Sequence, residues 1–332
     1  MSQPSLSMVH VNGPLTNISI AYVQDQNAFI ADKVFPAVPV SKQSDLYFIF
    51  DKEDFLRDEV GKKAPGAAPD VGGYDIDNSS PYYAHVYAYG HKIPDQVRSN
   101  ADSPLILDTA AANLVSQKGL IKRESTFMTK YMTTSVWAND ITGVASSPTG
   151  AQVLQWDNAA STPIEDIRAG MTAVQANTGF RPNTLTLTQA VWDILADHPD
   201  IVDRVKYSGG VGNGNPARVT KEAVAAILEL DRVLVSSAVS NTAEKGATAA
   251  IGFIGGKTAL LSYSPPTPTL MMPSAGYTFN WSGFLGSNGT GIRVKKYRLP
   301  EEFESDQVEI QMAFDQKVVS TDMGYFFTSI VA

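Results

Sequence analysis

The segment Asp193–Asp203 has a composition that could support chemistry. It holds four carboxylates and one imidazole within eleven residues, namely Asp193, Asp197, His198, Asp200 and Asp203. Side chains of these types bind divalent metal ions and transfer protons. The segment therefore indicates either a metal-dependent enzyme or a helix with a polar outer face, and the directions of the side chains separate the two.

The first helix around this segment is predicted to be amphipathic. On a helix that starts near Gln189, four apolar side chains cover the inner face: Val191, Trp192, Ile194 and Leu195. Asp193 and Asp197 are four residues apart, so they share the opposite face. The carboxylates of this helix are therefore expected to point away from the interior.

Pro199 divides the segment. It disfavours a helical conformation at His198, and a second short helix is predicted to begin near Asp200. Because metal ligands must converge on one point, carboxylates that fan outward across a break favour a solvated or intersubunit face. We name Asp197, His198 and Asp200 as candidate contacts between subunits.

Other patterns that accompany catalysis are incomplete. Gly255–Thr258 ends like a phosphate-binding loop, but Ile251 replaces the required glycine and no helix is predicted to follow. The glycines of Ser208–Pro216 lack the strand and helix that flank a dinucleotide site. The chain has four histidines and no G-x-S-x-G motif. We therefore predict no catalytic residue, no cofactor and no bound metal, in a protein that is not an enzyme.

The composition restricts the class of protein further. The chain of 332 residues is long enough for one large domain or two intimate ones, and its 18% charged residues indicate a surface partly buried against partners. A net charge of −8 argues against a protein that mainly grips nucleic acid. Without cysteine, disulfides and thiolate sites are excluded. With no signal peptide and no apolar run near the ~18 residues of a membrane span, we expect a soluble protein made in a reducing cytoplasm.

A projecting hairpin is predicted after an extended N-terminal arm. Strand-like runs at Asp45–Phe50 and Tyr82–Ile93 are joined through Gly61–Pro81, whose four glycines and three prolines disfavour a regular element. Such a hairpin buries little by itself and requires a partner surface. The contact candidates from this region are Lys62, Lys63, Tyr83 and Tyr87.

The longest helical signal follows the hairpin. Ser103 and Pro104 have the residue types of an N-cap and a first helical position. One apolar stripe then recurs at spacings of three, four or seven, through Leu107, Ala111, Leu114, Ile121, Met128 and Met132. The predicted helix, residues 103–136, spans ~50 Å, and Gly119 marks a candidate bend. A helix of this length suits an elongated scaffold.

The remaining chain has two patterns. Helices and strands alternate between residues 150 and 285, as in a compact α/β unit, and residues 291–332 contain strand-like runs that predict an antiparallel sheet. The basic run Arg293–Arg298 precedes the acidic run Pro300–Asp306. These charges either lie in a solvated hairpin or pair between identical neighbours. The candidates for such pairing are Arg293, Lys295, Lys296, Glu301 and Glu302.

The order of these parts resembles the major capsid proteins of tailed bacteriophages, which have an α+β fold of the Hong Kong 97 type. Two stretches are similar to sequences of that family, Ile30–Glu59 and Gly179–Tyr207. The resemblance implies an N-terminal arm at 1–44, an E-loop at 45–92, a P domain at 93–149 with a spine helix at 103–136, a compact α/β A domain at 150–285, and a return to P-domain strands at 286–332.

The resemblance implies self-assembly rather than catalysis. Members of the family form hexamers and pentamers of an icosahedral virion head around double-stranded DNA, in the cytoplasm of the host bacterium. We therefore expect further copies of the chain, a separate scaffolding protein, a portal at one vertex, an optional decoration protein, DNA bound without sequence specificity, and no membrane. An encapsulin-like compartment for enzyme cargo is the alternative with the same fold. A metal-dependent enzyme built on Asp193–Asp203 is the alternative from another class.

Overall fold

The computed structural model describes residues 23–101, 105–208, 219–268, 272–285 and 291–332. The strands are β1 (Ala37–Val40), β2 (Ser44–Phe50), β3 (Ile76–Tyr83), β4 (His85–Pro94), β5 (Asn139–Val144), β6 (Gln152–Leu154), β7 (Thr184–Thr188), β8 (Arg232–Ser236), β9 (Val239–Asn241), β10 (Ile251–Phe253), β11 (Ala259–Ser262), β12 (Gly276–Trp281), β13 (Ile292–Arg298), β14 (Ser305–Val318) and β15 (Gly324–Thr328). The α-helices are α1 (Ala31–Val34), α2 (Lys52–Leu56), α3 (Asp95–Ser99), α4 (Leu107–Tyr131), α5 (Pro163–Thr178), α6 (Gln189–Asp197), α7 (Pro199–Ser208), α8 (Lys221–Leu228) and α9 (Ser282–Leu285).

Strand β14 is the axis of a five-stranded sheet. One of its edges pairs antiparallel with β4, from Ser305 opposite Pro94 to Phe314 opposite His85. Its other edge pairs antiparallel with β13 and then with β12, and β1 runs parallel to β12. Alternate side chains of β14 point to one face, where α4 covers Val308, Ile310, Met312 and Phe314. The antiparallel pairing predicted for the first two runs of the tail is confirmed.

Helix α4 is shorter than predicted. It runs from Leu107 to Tyr131, and its 25 residues span about 37 Å at 1.5 Å per residue. Ile106 has an extended backbone just before the helix, and Met132 follows its last residue. The predicted range 103–136 is therefore wrong at both ends. The predicted N-cap and first helical position lie outside the described residues.

The buried stripe of α4 advances in steps of four residues. Along it lie Ala111, Val115, Gly119, Arg123, Phe127 and Tyr131, and Glu124 and Met128 beside it are also buried. Leu114, which the apolar pattern assigned to the stripe, is 37% exposed. A Cβ atom on Gly119 would lie 2.5 Å from Cδ1 of Ile310. The glycine therefore allows the helix to approach β14 closely.

The second sheet has six strands in the order β6-β5-β15-β11-β7-β8. Strand β15 lies in its middle, parallel to β5 and antiparallel to β11. All five residues of β7 are buried. Both faces of this strand are therefore covered by other parts of the chain. Apolar residues of α5, α6, α7 and α8 complete this core, including Ile167, Leu195, Ile201 and Val224. Within the described residues, no helix is long and apolar enough to cross a membrane.

Three strands pair with strands that lie across the predicted domain boundaries. β5 and β15 belong to the six-stranded sheet, although residues 93–149 and 286–332 were both assigned to the P domain. β12 belongs to the five-stranded sheet, although residues 150–285 were assigned to the A domain. Local alternation identifies a strand but not its partner, so the sequence did not show that each sheet combines strands from distant segments, and the domain bounds stay a prediction.

The hairpin is built differently from the prediction. β2 pairs with β3, from Ser44 opposite Tyr83 to Phe50 opposite Ile76. The predicted second strand, Tyr82–Ile93, divides at Ala84, and its larger part is β4, which leaves to pair with β14. The strand β3 also includes residues that we expected to be irregular. The irregular loop therefore ends at Asp75, and Pro81 lies within β3.

Candidate assembly surfaces

The carboxylates of Asp193–Asp203 do not form a site. Asp193 accepts a hydrogen bond from Gln189 Nε2 at 2.6 Å, and Asp197 is exposed. On α7, Asp200 and Asp203 form surface ion pairs with Arg204 and Lys206 at 3.5 and 3.6 Å. In the part of the chain that the structure describes, no group of three or more acidic or histidine side chains is placed to hold a metal ion. The segment is a polar outer face.

His198 is the exception, and its predicted outward placement is wrong. The side chain is only 4% exposed. Its Nδ1 accepts a hydrogen bond from the backbone N–H of Asp200 (3.2 Å), and its carbonyl accepts from Ile201 and Val202 (3.1 and 3.0 Å). His198 therefore caps α7 from within the fold, while Asp197 and Asp200 remain accessible.

The buried His198 lies beside a hydroxyl without forming a catalytic pair. Its Nε2 is 3.1 Å from Ser161 Oγ, and that oxygen donates to the carbonyl of Asn158 at 2.7 Å. Because Nδ1 accepts from Asp200 N–H, the network assigns the proton to Nε2. A general base would need the opposite tautomer, with Nε2 free to take the serine proton. The pair therefore holds the α6–α7 corner to the preceding loop.

The tip of the hairpin has a small internal cluster. The rings of Phe50, Phe55 and Tyr74 lie 5.8 to 5.9 Å apart, measured between centroids. Asp51 caps α2 by accepting from Glu53 N–H at 2.9 Å. These contacts give the tip local order while its outer surface stays open.

Most apolar surface of the hairpin is unburied. Among residues 44–83, all of which the structure describes, only Tyr82 is buried. The large apolar residues that are about half exposed or more are Leu46, Phe48, Phe55, Leu56, Val60, Val71, Tyr74, Ile76 and Tyr83. Isolated exposed apolar residues are ordinary, but a continuous set marks an interaction surface.

The tip is also acidic. Residues 51–77 contain eight Asp or Glu and four Lys or Arg, a net charge of −4. Lys62 and Lys63 are exposed near its end, and neither has an ion-pair partner among the described residues. The tip is therefore an apolar and acidic surface with two free ammonium groups.

Aromatic stacking fixes the base of the hairpin to the five-stranded sheet. Tyr82 stacks on Phe279 with centroids 4.7 Å apart, and the N–H of Tyr83 donates to Asp315 Oδ2 at 3.0 Å. Tyr87 packs on Phe314 at 5.2 Å. Tyr83 keeps 48% of its surface exposed, whereas Tyr87 is half-buried within the chain.

The basic run of β13 is largely engaged inside the chain. Lys296 Nζ pairs with Asp108 of α4 at 2.9 Å, and Arg298 binds Asp95 at 2.5 Å. Lys295 approaches Glu309 at 3.8 Å, and Arg293 Nη2 donates to Gln311 at 2.7 Å. The alternative of a simple solvated hairpin does not describe this network, which ties β13 to β14, α3 and α4.

The acidic run behaves differently. Glu301 and Glu302 lie on an exposed 3-10 turn, and neither forms an ion pair within the described residues. Asp306, at the end of the run, is held by Arg98 at 2.6 Å, and that hydrogen bond keeps the pKa of Asp306 below its usual range. The glutamates that precede Asp306 are therefore the part of the acidic run available to a neighbouring molecule.

The outer face of α4 is basic. Lys118, Lys122 and Lys130 are exposed, and Lys122 lies over the ring of Tyr87 at 5.1 Å. The acidic residue on the same part of the helix, Glu124, is buried. The helix thus offers cationic surface beside the five-stranded sheet.

Arg123 and Glu124 are important residues that the sequence did not single out. Arg123 is 2% exposed, pairs with Asp32 of α1, and lies over the ring of Phe314 at 5.0 Å. A signal existed, because Arg123 is four residues from both Gly119 and Phe127 and so lies on the buried stripe. A charge on an apolar stripe indicates a partner of opposite charge within reach.

Two curated relatives cover most of the chain. The major capsid protein of Burkholderia phage BcepMu is 25% identical over 293 residues, which are 84% of this chain and 86% of the relative. The major capsid protein of Pseudomonas phage JBD67 is 25% identical over 330 residues, 97% of each chain. No protein-family model matches the sequence.

Solved structures show the same architecture. A phage-related protein from Bordetella bronchiseptica has a TM-score of 0.66 at 21% identity, covering 92% of this chain and 93% of that one. The mature capsid of bacteriophage PhiM1 has a TM-score of 0.58 at 13% identity, covering 96% and 92%. The chain is a homologue of phage major capsid proteins and has the Hong Kong 97-type fold.

This finding confirms the resemblance inferred from the order of arm, hairpin, long helix and α/β unit. The Hong Kong 97-type fold also occurs in an encapsulin complex from Synechococcus elongatus, with a TM-score of 0.54 at 11% identity over 96% of this chain and 93% of that one. The fold alone therefore does not separate a phage head from a cellular compartment. Both curated relatives are phage proteins, which favours the capsid interpretation.

Proposed function

We propose that this chain is the major capsid protein of a tailed phage, which assembles into hexamers and pentamers of an icosahedral head enclosing double-stranded DNA. The hairpin carries the proposal, because its apolar surface is open in a chain homologous to capsid proteins over almost its full length. Apolar area is stabilising only when it is removed from water, at about 25 cal/mol per Å². A neighbouring subunit supplies the missing cover.

Charge complementarity supports the hairpin as the connecting element. The tip carries a net charge of −4 over residues 51–77, and the outer face of α4 presents three exposed lysines. Opposite charges on two copies steer association and fix its orientation. We infer that the tip of one subunit lies across the α4 surface of the next, with Lys62 and Lys63 near the end of that contact.

Further partners follow from the capsid role. We infer a separate scaffolding protein during assembly in the host cytoplasm, a portal at one vertex, and an optional decoration protein on the virion. A net charge of −8 supports DNA enclosure without tight or sequence-specific binding. The chain would then act through its surfaces and not as an enzyme.

Replacing residues 61–73 with a short Gly-Ser linker tests the proposal. This change removes the open loop but leaves β2, β3 and the aromatic cluster intact. We expect a folded subunit that no longer yields shells, capsomers or tubes in negative-stain micrographs. The matched control replaces the exposed loop residues 244–248 in the same way and keeps assembly. Normal shells from the hairpin variant would show that the tip is not the connecting element.

The encapsulin alternative predicts different particle contents. Purified shells from the native source should contain double-stranded DNA if the chain forms a phage head. Shells that contain a single enzyme and no DNA would instead identify a compartment. The remaining alternative, a metal-dependent enzyme, predicts a stoichiometric ion in metal analysis of the purified chain.

A further inference from the structure

A buried carboxylate holds the arm segment Phe29–Phe35 against the rest of the chain. Glu124 of α4 has no exposed surface. Its Oε2 accepts hydrogen bonds from the N–H groups of Ile30 (3.0 Å) and Ala31 (2.9 Å), and its Oε1 accepts one from Ser236 Oγ (2.6 Å). One side chain thereby joins α1, α4 and β8.

The arm segment joins the two large sheets. The carbonyl of Ala28 accepts from Ser237 N–H at 3.2 Å, beside the edge strand β8. The carbonyl of Val34 accepts from Arg232 (3.0 Å) and from Ser264 Oγ (2.6 Å). β1 then enters the five-stranded sheet. Any change in how firmly the segment docks therefore alters the junction between the sheets.

The charged groups near Glu124 lie on α1, α4 and β8. α1 contributes Asp32, whose negative charge opposes that of Glu124, and Lys33, whose exposed ammonium lies 3.4 Å from Asn27. α4 contributes Arg123, paired with Asp32. β8 contributes the neutral Ser236, while Arg232 on the same strand binds other oxygens. Arg123 is thus paired with Asp32, whereas the hydrogen bonds to Glu124 come from two backbone N–H groups and one hydroxyl, which are neutral.

A protonated Glu124 can keep all three of its hydrogen-bond partners. Oε2 receives two backbone N–H groups, which can only donate. Oε1 faces the hydroxyl of Ser236, which both donates and accepts. A proton placed on Oε1 reverses that one hydrogen bond, and the two bonds at Oε2 remain.

We propose that Glu124 is a proton-operated latch: the segment Phe29–Phe35 docks more tightly when Oε1 carries a proton than when the carboxyl is ionised. The latch has no part in the contacts proposed between subunits. It concerns the junction inside one chain.

The direction of the effect follows from burial. Burial raises the pKa of Glu124 above its usual value and the charge of Asp32 adds to this, against the hydrogen bonds from Ser236, Ala31 and Ile30. Water solvates the carboxyl when the arm is undocked, so the docked state binds the proton more readily. Docking is therefore strongest below the usual Glu range and weakens as pH rises through the raised pKa.

Hydrogen–deuterium exchange of the full-length chain tests the latch. Exchange is followed from about pH 5 to about pH 8 and corrected for the intrinsic rate. We expect the protection of Phe29–Phe35 to fall as pH rises, by at most about tenfold per pH unit, the limit for one proton. β7 provides an internal reference without such a slope. Arm protection that stays parallel to β7, or rises with pH, would overturn the proposal.

Two variants assign the slope to its residue. Glu124→Gln keeps an acceptor for the two N–H groups and gives Ser236 a donor, so it imitates the protonated state and should remove the slope. Glu244→Gln, a neutralised carboxyl on an exposed loop, should keep it. A slope that persists in E124Q, or vanishes in E244Q, would place the proton elsewhere. Burial also raises the pKa of Asp32 in the same segment, so Asp32→Asn is the second test: it should keep the slope, and a slope that vanishes in D32N would assign the proton to Asp32.

Discussion

The six-stranded sheet and the hairpin differ in the burial of their apolar side chains. Leu185, Leu261 and Phe327 in the sheet have no exposed surface, whereas Phe48 and Val60 in the hairpin are 69% and 93% exposed. The sheet obtains its stability within one chain. The hairpin gains little until another surface covers it. The difference separates folding from assembly, and substitutions in the two regions are expected to affect different measurements.

The largest expected effect on folding comes from the centre of the sheet. Phe327→Ala removes a fully buried ring that packs on Trp156 at 5.5 Å. We expect the free energy of unfolding to fall by about 3–5 kcal/mol, measured by urea denaturation of the unassembled chain. The same truncation at Phe48 should change it by less than about 0.5 kcal/mol. Equal losses of unfolding free energy at both positions would show that the two regions contribute alike to folding.

A smaller loss is expected where two strands meet closely. A Cβ on Gly143 would lie 2.4 Å from the carbonyl oxygen of Ser329 and 2.7 Å from Cα of Ile330. Backbone atoms must shift to make room, so Gly143→Ala should cost about 1–3 kcal/mol. In the hairpin tip, a Cβ on Gly73 meets nothing within 4 Å. Thermal unfolding of Gly143→Ala and Gly73→Ala provides the comparison. An unchanged unfolding temperature in G143A would contradict the packing described for β5 and β15.

The corner between α6 and α7 tests whether His198 is structural. His198→Ala removes the acceptor of the Asp200 N–H and one of the two hydrogen-bond partners of the Ser161 hydroxyl, which keeps the carbonyl of Asn158. We expect a loss of about 1–2 kcal/mol in urea unfolding. Asp197→Ala, an exposed change one residue away, should remain within about 0.5 kcal/mol. A larger loss of unfolding free energy from D197A than from H198A would contradict the buried, structural role of His198.

The smallest change in folding and the clearest change in assembly are expected in the hairpin. Val60→Ser alters a residue that is 93% exposed, so the free energy of unfolding should shift by less than about 0.5 kcal/mol. The yield of particles in sedimentation should nevertheless fall. Ile251→Ser, at a residue 71% exposed outside the hairpin, is the matched control. Equal losses of particles from both variants would mean that exposed apolar area in general, and not the hairpin, promotes assembly.

Local signals in the sequence predicted local structure well. Gly179 ends α5 in the left-handed conformation, with φ of 76°, as its position after the periodic residues indicates. Thr220 caps α8 by accepting from Ala223 N–H. Thr188 has a residue type suited to capping α6, yet it forms no side-chain hydrogen bond to the helix. Residue type and spacing determine these features, because every participant lies within one turn.

Distant partners could not be read from such signals. The run containing Phe326 and Phe327 indicates a strand, yet nothing near it specifies that β5 and β11 will flank it. His198 follows an outward-facing aspartate and precedes a proline, so its burial depends on the loop at Ser161, 37 residues away. The contact candidates in the hairpin tip remain a prediction, since they concern a second molecule.

The place of β15 has a consequence for the order in which a newly made chain can fold. β15 lies between β5 and β11, so it bridges two halves of a sheet whose other five strands are synthesised earlier. Until Gly324–Thr328 has left the ribosome, neither half has its central neighbour. The six-stranded sheet can therefore be completed only after β15 has been synthesised. Only chains that have passed this point present the complete folded unit to other copies.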